Sequence, residues 1–110
     1  MAIVALPLLQ GTLDLLVLKC LSAGPRHGYA IATMVREQTG GDLTIEDAAL
    51  YQALHRLERK RLIVATWGLS ENNRKAKFYE LTADGRRQLR ADSSTWREYA
   101  AAVGRVLDPA

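Results

Sequence analysis

The sequence predicts a mainly α (α+β) fold in the order helix, helix, helix, β-hairpin, long helix. Three observations predict it. Apolar residues recur at helical spacing in three successive segments, a polar turn-rich stretch then separates two short strand-like segments, and the end of the chain carries one narrow apolar stripe. The 110 residues are enough for one small core.

The first two segments predict short helices over residues 12–22 and 28–39. Thr12 is the expected N-cap of the first helix, and Gly40-Gly41 is the expected end of the second, because a left-handed C-cap position favours glycine. The first helix is apolar on nearly all sides. We therefore expect a second subunit to bury part of it.

The third segment predicts a helix over residues 46–60, with Thr44 as a candidate cap. One stripe is apolar and would anchor the helix in the core. The other side carries side chains that can contact base edges or phosphates, namely Tyr51, Gln52, His55, Arg56 and Arg59. This pattern is typical of a helix that reads the major groove of DNA, and equally of an ordinary solvated helix face.

The hairpin is predicted as strands 62–67 and 77–81 joined by a polar tip over residues 68–76. The tip and its edge carry the cations Arg74, Lys75 and Lys77, opposed only by Glu71. Such a wing can place cations along a phosphate backbone, although a charged tip is also ordinary for a hairpin in water. The aromatic residues Trp67, Phe78 and Tyr79 are expected to pack within the wing.

The last segment predicts a long helix over residues 83–107, capped by Thr82. Its narrow stripe has the spacing of a helix that packs on another helix, and one short chain offers too little partner surface. We therefore expect a homodimer, with residues 1–82 as the DNA-binding domain and 83–110 as the dimerisation helix. The residues expected at the dimer interface are Leu13, Leu16, Leu89, Trp96, Ala100, Val103 and Leu107.

Trp96 allows two interpretations. It can simply fill the dimer interface, or it can form a flat wall for a small aromatic effector held between the subunits, with Tyr99 at the rim.

Composition supports a polyanionic partner without establishing one: the net charge is +3 and the pI is about 9.3. The two histidines, His27 and His55, fall on different elements, and no catalytic, metal-ligand or phosphate-loop pattern accompanies them. We expect no enzyme activity, no metal and no cofactor. The single cysteine, Cys20, and an apolar start at 1–9 that does not resemble a signal peptide favour a cytoplasmic protein.

Three helices followed by a hairpin are the arrangement of a winged helix-turn-helix domain. Several motifs, in order, also resemble those of the PadR family of bacterial regulators. They are LQGTLDLLVL at 9–18, Gly24-Pro25 with HGYAI at 27–31, Leu50-Tyr51 with ALHRLE at 53–58, and KFYELTADG at 77–85. The similarity spans about residues 8–107.

The resemblance implies a dimeric repressor that binds operator DNA through its winged helix, dimerises through its terminal helix and, in some members, is released by small aromatic molecules. The single terminal helix resembles the short class of the family. Two departures concern the third helix: Gln52 replaces the usual proline, and Ala48-Ala49 replace glycine and a hydroxyl residue. The operator sequence is therefore not transferable from relatives. The alternative function is a winged-helix protein-interaction module that does not bind DNA.

Overall fold

The computed structural model describes residues 11–109. The apolar segment 1–9, for which no signal peptide is expected, and the first two residues of the motif at 9–18 lie outside the described residues.

Within the described residues, the helices are α1 (Thr12–Cys20), α2 (Gly28–Gln38), α3 (Asp47–Arg59) and α4 (Ala83–Leu107), with a 3₁₀ turn at Leu21–Ala23. The strands are β1 (Arg26–His27), β2 (Ile63–Leu69) and β3 (Lys75–Leu81), which form an antiparallel sheet in the order β1-β3-β2. This architecture confirms the predicted fold class and element order.

The sheet differs from the prediction in two ways. Strand β1 was not predicted, because two residues are too short to show an alternating pattern; it pairs His27 with Phe78 on β3. The hairpin strands are also longer than expected, so only residues 70–74 form the turn. Asn73 has a φ of 58°, and the backbone N–H of Ser70 donates to the carbonyl of Arg74 at 2.8 Å, which closes the turn.

Two predicted helix caps are wrong and one is confirmed. Gly11, not Thr12, is the N-cap of α1, and Glu46, rather than Thr44, occupies the N-cap position of α3. The hydroxyl of Thr82 accepts a hydrogen bond from the backbone N–H of Gly85 at 3.0 Å and so caps α4. Helix α2 is capped by His27, whose Nδ1 accepts from the N–H of Ala30 at 3.2 Å.

One apolar core joins α1, α2, α3 and the inner part of the sheet. Its most deeply buried side chains are Val17, Leu18, Leu21, Ile31, Leu50, Leu54, Leu57 and Ile63. Cys20 is buried beside them, and burial raises the pKa of its thiol while the nearby Arg26 partly opposes that shift. The core therefore holds α3 rigidly by one face.

Helix α4 begins in close contact with this body. A Cβ atom at Gly85 would lie 2.0 Å from the carbonyl oxygen of Leu62, so only glycine permits the approach. The hydroxyl of Thr82 donates to the carbonyl of Arg61 at 2.8 Å on the same turn. These contacts set the direction in which the long helix leaves the body.

Three residues expected at a dimer interface are partly covered within the chain. Leu13, Leu16 and Leu89 pack against the core cluster and are half-buried. Helix α1 contacts α2, α3 and α4. Leu13 and Leu16 nevertheless keep part of their surface exposed, so the burial of this helix by a second subunit stays a prediction. Large side chains that stay exposed on α4 lie further along it: Trp96, Tyr99, Val103, Val106 and Leu107.

Candidate nucleic-acid interface

Helix α3 has one buried and one open face. Leu50, Ala53, Leu54 and Leu57 lie in the core, as the apolar stripe predicts. The opposite face exposes the side chains of Tyr51, Gln52, His55 and Arg59. The apolar stripe therefore anchors the helix backbone in the core and leaves the open face in contact with solvent.

Arg56 differs from the other candidate DNA-contacting residues of α3, because its guanidinium forms an ion pair with another helix. Its Nη2 donates to Oδ1 of Asp14 on α1 at 2.6 Å, and its Nε donates to Oδ2 at 3.4 Å. This hydrogen bond to Asp14 raises the pKa of the Arg56 guanidinium. The pair ties α3 to α1, so a base contact by Arg56 would first require the loss of a two-point ion pair.

The base of the wing is tied to α3 in a similar way. The ammonium of Lys77 lies 3.7 Å from Oε1 of Glu58 and 5.7 Å from the ring centroid of Tyr79. Tyr79 is buried, and burial, followed by the charge of Glu58, raises the pKa of its hydroxyl. The ion pair with Glu58 therefore ties Lys77 to α3, whereas Arg74 and Lys75 lie exposed nearer the tip of the wing.

The expectation that all three hairpin aromatics pack within the wing holds for two of them. Tyr79 is buried, and Phe78 packs edge-on against His27 with ring centroids 5.4 Å apart. Trp67 differs, because it is 65% exposed and the ammonium of Lys75 lies 5.2 Å from the centroid of its ring. The hairpin extends past the core at this point, so the indole has no apolar layer to cover it.

An open cleft separates α3 from the wing. Its volume is about 770 Å³, and its walls include Tyr29 at the start of α2, Tyr51 on α3 and Trp67 on β2. The predicted cations Arg74, Lys75 and Lys77 line the same cleft, together with Glu71. Of the predicted DNA-contacting residues, the structure thus brings Tyr51 and the three wing cations to one surface. Tyr29 and Trp67 are among the lining residues that the sequence reasoning did not assign to DNA.

A smaller hollow continues the cleft along α3. It is lined by Tyr51, Gln52, His55, Glu58, Lys77 and Tyr79. Two carboxylates, Glu46 and Asp47, stand exposed at the start of the helix. Cations are therefore concentrated at the wing and at the end of α3, where Arg59 lies, rather than at its first turn.

Among residues 11–109, no three His, Cys, Asp or Glu side chains group as they would around a metal ion. Over the same residues, no helix has both the length and the apolar character needed to cross a bilayer.

The fold and this surface are those of a winged-helix transcriptional regulator. A family model described as the transcriptional regulator PadR-like family matches residues 17–91. The chain belongs to the PadR-like family, which confirms the resemblance seen in its motifs.

Solved structures agree with this assignment, and one further relative is similar over most of its length. The chain is similar to an uncharacterized protein of Lysinibacillus sphaericus, with 31% identity over 91 residues that make up 83% of this chain and 84% of that one. It resembles the crystal structure of a PadR family regulator from Eggerthella lenta at a TM-score of 0.77 and 31% identity, covering 92% and 86% of the two chains. A PadR family regulator from Clostridium difficile also superposes at a TM-score of 0.77, with 29% identity and coverage of 88% and 99%. The matched family and these solved structures are transcriptional regulators, not enzymes.

Proposed function

We propose that this regulator is a dimeric repressor that binds operator DNA with α3 in the major groove and the wing beside it. The observation that carries the proposal is the shared surface, where the open face of α3 and the cations of the wing border one cleft. A polyanion that lies against α3 meets Arg74 and Lys75 on the wing at the same time. In this assignment residues 1–82 bind DNA and 83–110 dimerise.

In this proposal, Gln52 and its neighbours on α3 contact the base edges. Gln52 is exposed in the middle of α3, and a glutamine amide pairs with adenine through two hydrogen bonds. Tyr51 and His55 flank it, and Arg59 lies one to two turns further along. Since Arg56 is held by Asp14, we assign Arg56 to the support of α3 rather than to base contact.

The assembly is supported by the exposed stripe on α4. Trp96, Val103 and Leu107 remain exposed, and Ala100 lies half-buried between them. Two copies of this stripe packed about a two-fold axis would cover them, with Tyr99 and Val106 at the edges. A dimer would then place two α3 helices at adjacent major grooves, about one helical turn apart.

The repressor would be released by a small molecule held between the two α4 helices. Trp96 is 44% exposed, so an indole is available at the shared surface. A planar aromatic molecule stacked there would change the angle between the DNA-binding units. Quenching of Trp96 fluorescence by such molecules in a Trp67→Phe background, with weaker DNA binding, would support this step; an unresponsive panel would argue that Trp96 only packs.

The main experiment measures binding to the DNA upstream of the gene itself, against random DNA, at several salt concentrations. We expect tighter binding to one site and a dissociation constant that rises steeply with salt. Gln52→Ala should relax the preference at one base position per half-site, by about 1–3 kcal/mol of discrimination. Gln88→Ala, on the exposed side of α4, is the matched control. A protein that binds neither DNA at low salt would instead be the interaction module.

A further inference from the structure

The outer half of the wing displays an apolar surface that the core does not use. Trp67 and Leu69 on β2 are each 65% exposed. The strand register pairs Trp67 with Lys77 and Leu69 with Lys75, so all four side chains share one face of the hairpin. Further inward, the same face carries the buried Tyr79. The exposed apolar pair therefore lies on the side of the sheet that faces the body of the protein.

This face forms one wall of the cleft between the wing and α3. The opposite wall is formed by Tyr51 and Tyr29, which are 57% and 74% exposed. The lining thus combines flat rings and phenol hydroxyls with three cations, Arg74, Lys75 and Lys77, against one carboxylate, Glu71. An occupant that matches this lining carries negative charge and also offers apolar surface.

A DNA backbone strand has both properties. The major groove and the neighbouring minor groove are separated by a sugar-phosphate strand, so a protein with a helix in one groove and a wing in the other must straddle that strand. Its phosphates suit the cations and phenol hydroxyls, and the carbon face of deoxyribose suits an exposed aromatic ring.

We propose that the cleft between α3 and the wing holds one DNA backbone strand, and that the indole of Trp67 packs on its deoxyribose rings. The assignment rests on the proposed DNA-binding function. It adds an apolar contact to the ionic contacts of that function. The ammonium of Lys75, 5.2 Å from the centre of the indole, restrains the ring and remains next to the phosphates. Leu69 extends the exposed apolar surface of this face toward the tip.

The first test separates apolar from ionic contributions. Trp67→Ala should raise the dissociation constant for DNA roughly tenfold, as expected for the loss of a large buried apolar surface, with an unchanged salt slope. Trp67→Phe should retain most of the affinity, since a flat ring remains. Val64→Ala is the matched control, because Val64 is an exposed apolar residue of the same strand on the opposite face. Unchanged affinity of Trp67→Ala, or a loss that appears only as a reduced salt slope, would overturn the proposal.

The second test observes the indole directly, which keeps the proposal testable if Trp67→Ala folds poorly. Fluorine NMR of the protein labelled with fluorotryptophan should show two signals from Trp67 and Trp96, and the signal absent from Trp67→Phe belongs to Trp67. We expect DNA to shift that signal and to protect it from broadening by a soluble paramagnetic probe. A shift produced by higher protein concentration alone would make this face a contact between copies, and a shift produced by aromatic molecules but not by DNA would make it a ligand site. Either result overturns the proposal.

The same samples distinguish the two levels of inference. If the wild-type protein does not bind DNA at low salt, both the proposed function and this contact are wrong. If the wild-type protein binds DNA no more tightly than Trp67→Ala does, only the proposed contact between Trp67 and the backbone strand is wrong.

Discussion

At the residue scale, Arg56 shows how a side chain suited to reading guanine can serve another purpose. Its side chain is 39% exposed and that of Asp14 is 25% exposed, so the pair is shielded from water on part of its surface. A two-point contact in such a site holds α3 at a defined angle to α1. Arg56 thereby helps to position Gln52, which lies one turn earlier on the same helix.

We expect Asp14→Ala and Arg56→Ala each to lower the free energy of unfolding by about 1 kcal/mol, with the double variant no worse than either single one, because they remove the same contact. Denaturant unfolding of the four proteins measures the coupling. Base preference, measured by selection from random DNA, should be unchanged in Arg56→Ala, in contrast to Gln52→Ala. If the losses of stability are additive and Arg56→Ala relaxes the base preference, Arg56 contacts bases rather than supporting α3.

At the scale of single elements, α4 depends on a glycine at its start. The N–H of Gly85 donates to Thr82, and its α-carbon lies against the Leu62 carbonyl. A glycine in a helix normally costs stability, so this one is retained for close packing. Gly104, near the other end of α4, has no atom within 4 Å of the place its Cβ would take among the described residues.

This contrast predicts opposite effects of one substitution in one helix. Gly85→Ala should destabilise the chain by about 1–3 kcal/mol, because the added methyl overlaps a backbone oxygen that cannot rotate away. Gly104→Ala should stabilise it by about 0.5–1 kcal/mol through helix propensity alone. Thermal unfolding of both variants measures the difference. Similar shifts of the melting temperature for the two variants would argue against the close approach at Gly85.

A second prediction compares how cations at the tip and at the base of the wing contribute to the salt dependence of DNA binding. Arg74→Ala and Lys75→Ala should each lower the slope of log affinity against log salt by roughly one unit per contact in each subunit, and should weaken binding evenly across DNA sequences. Lys77→Ala should lower the slope less, because Glu58 already neutralises part of that charge. Fluorescence anisotropy with labelled DNA over a salt series measures the slopes. A triple alanine variant with the wild-type slope would show that the wing does not touch phosphates.

At the scale of the whole molecule, the distribution of exposed apolar surface points to assembly. The first turns of α4 pack on the core through Leu89, whereas the exposed apolar residues from Trp96 onward follow one side of the helix. An apolar stripe that its own chain leaves open is typical of a surface that another helix covers. In the proposed dimer, assembly and operator binding would be coupled, because two half-sites would have to be contacted at once.

We expect Val103→Asp to shift the protein from dimer to monomer and to weaken operator binding at least tenfold, since a carboxylate in the seam would be buried without a partner. Ala101→Asp adds the same charge on the other side of α4 and should change neither. Sedimentation or light scattering at micromolar concentration measures the mass. A wild-type particle of 12.2 kDa, the mass of one chain, would contradict the dimer.

The order of elements, the apolar stripe of α3, the Thr82 cap and the family could all be predicted from the amino-acid sequence. These features depend on residues a few positions apart, within one or two helical turns or one strand, so periodicity and motif spacing contain them. The wing was predicted for the same reason, although its strands extend further into the polar tip than hydrophobicity indicates.

The exposure of individual polar and aromatic side chains could not be predicted in this way, because it depends on contacts between distant segments. Asp14 and Arg56 are 42 positions apart, and nothing local to either residue indicates their pairing. Strand β1 exists because Phe78 and Tyr79 lie beside it, and Trp67 is exposed because the hairpin extends beyond the core at that point. Contacts between distant segments depend on how the elements pack, and packing is a property of the folded chain rather than of any local pattern.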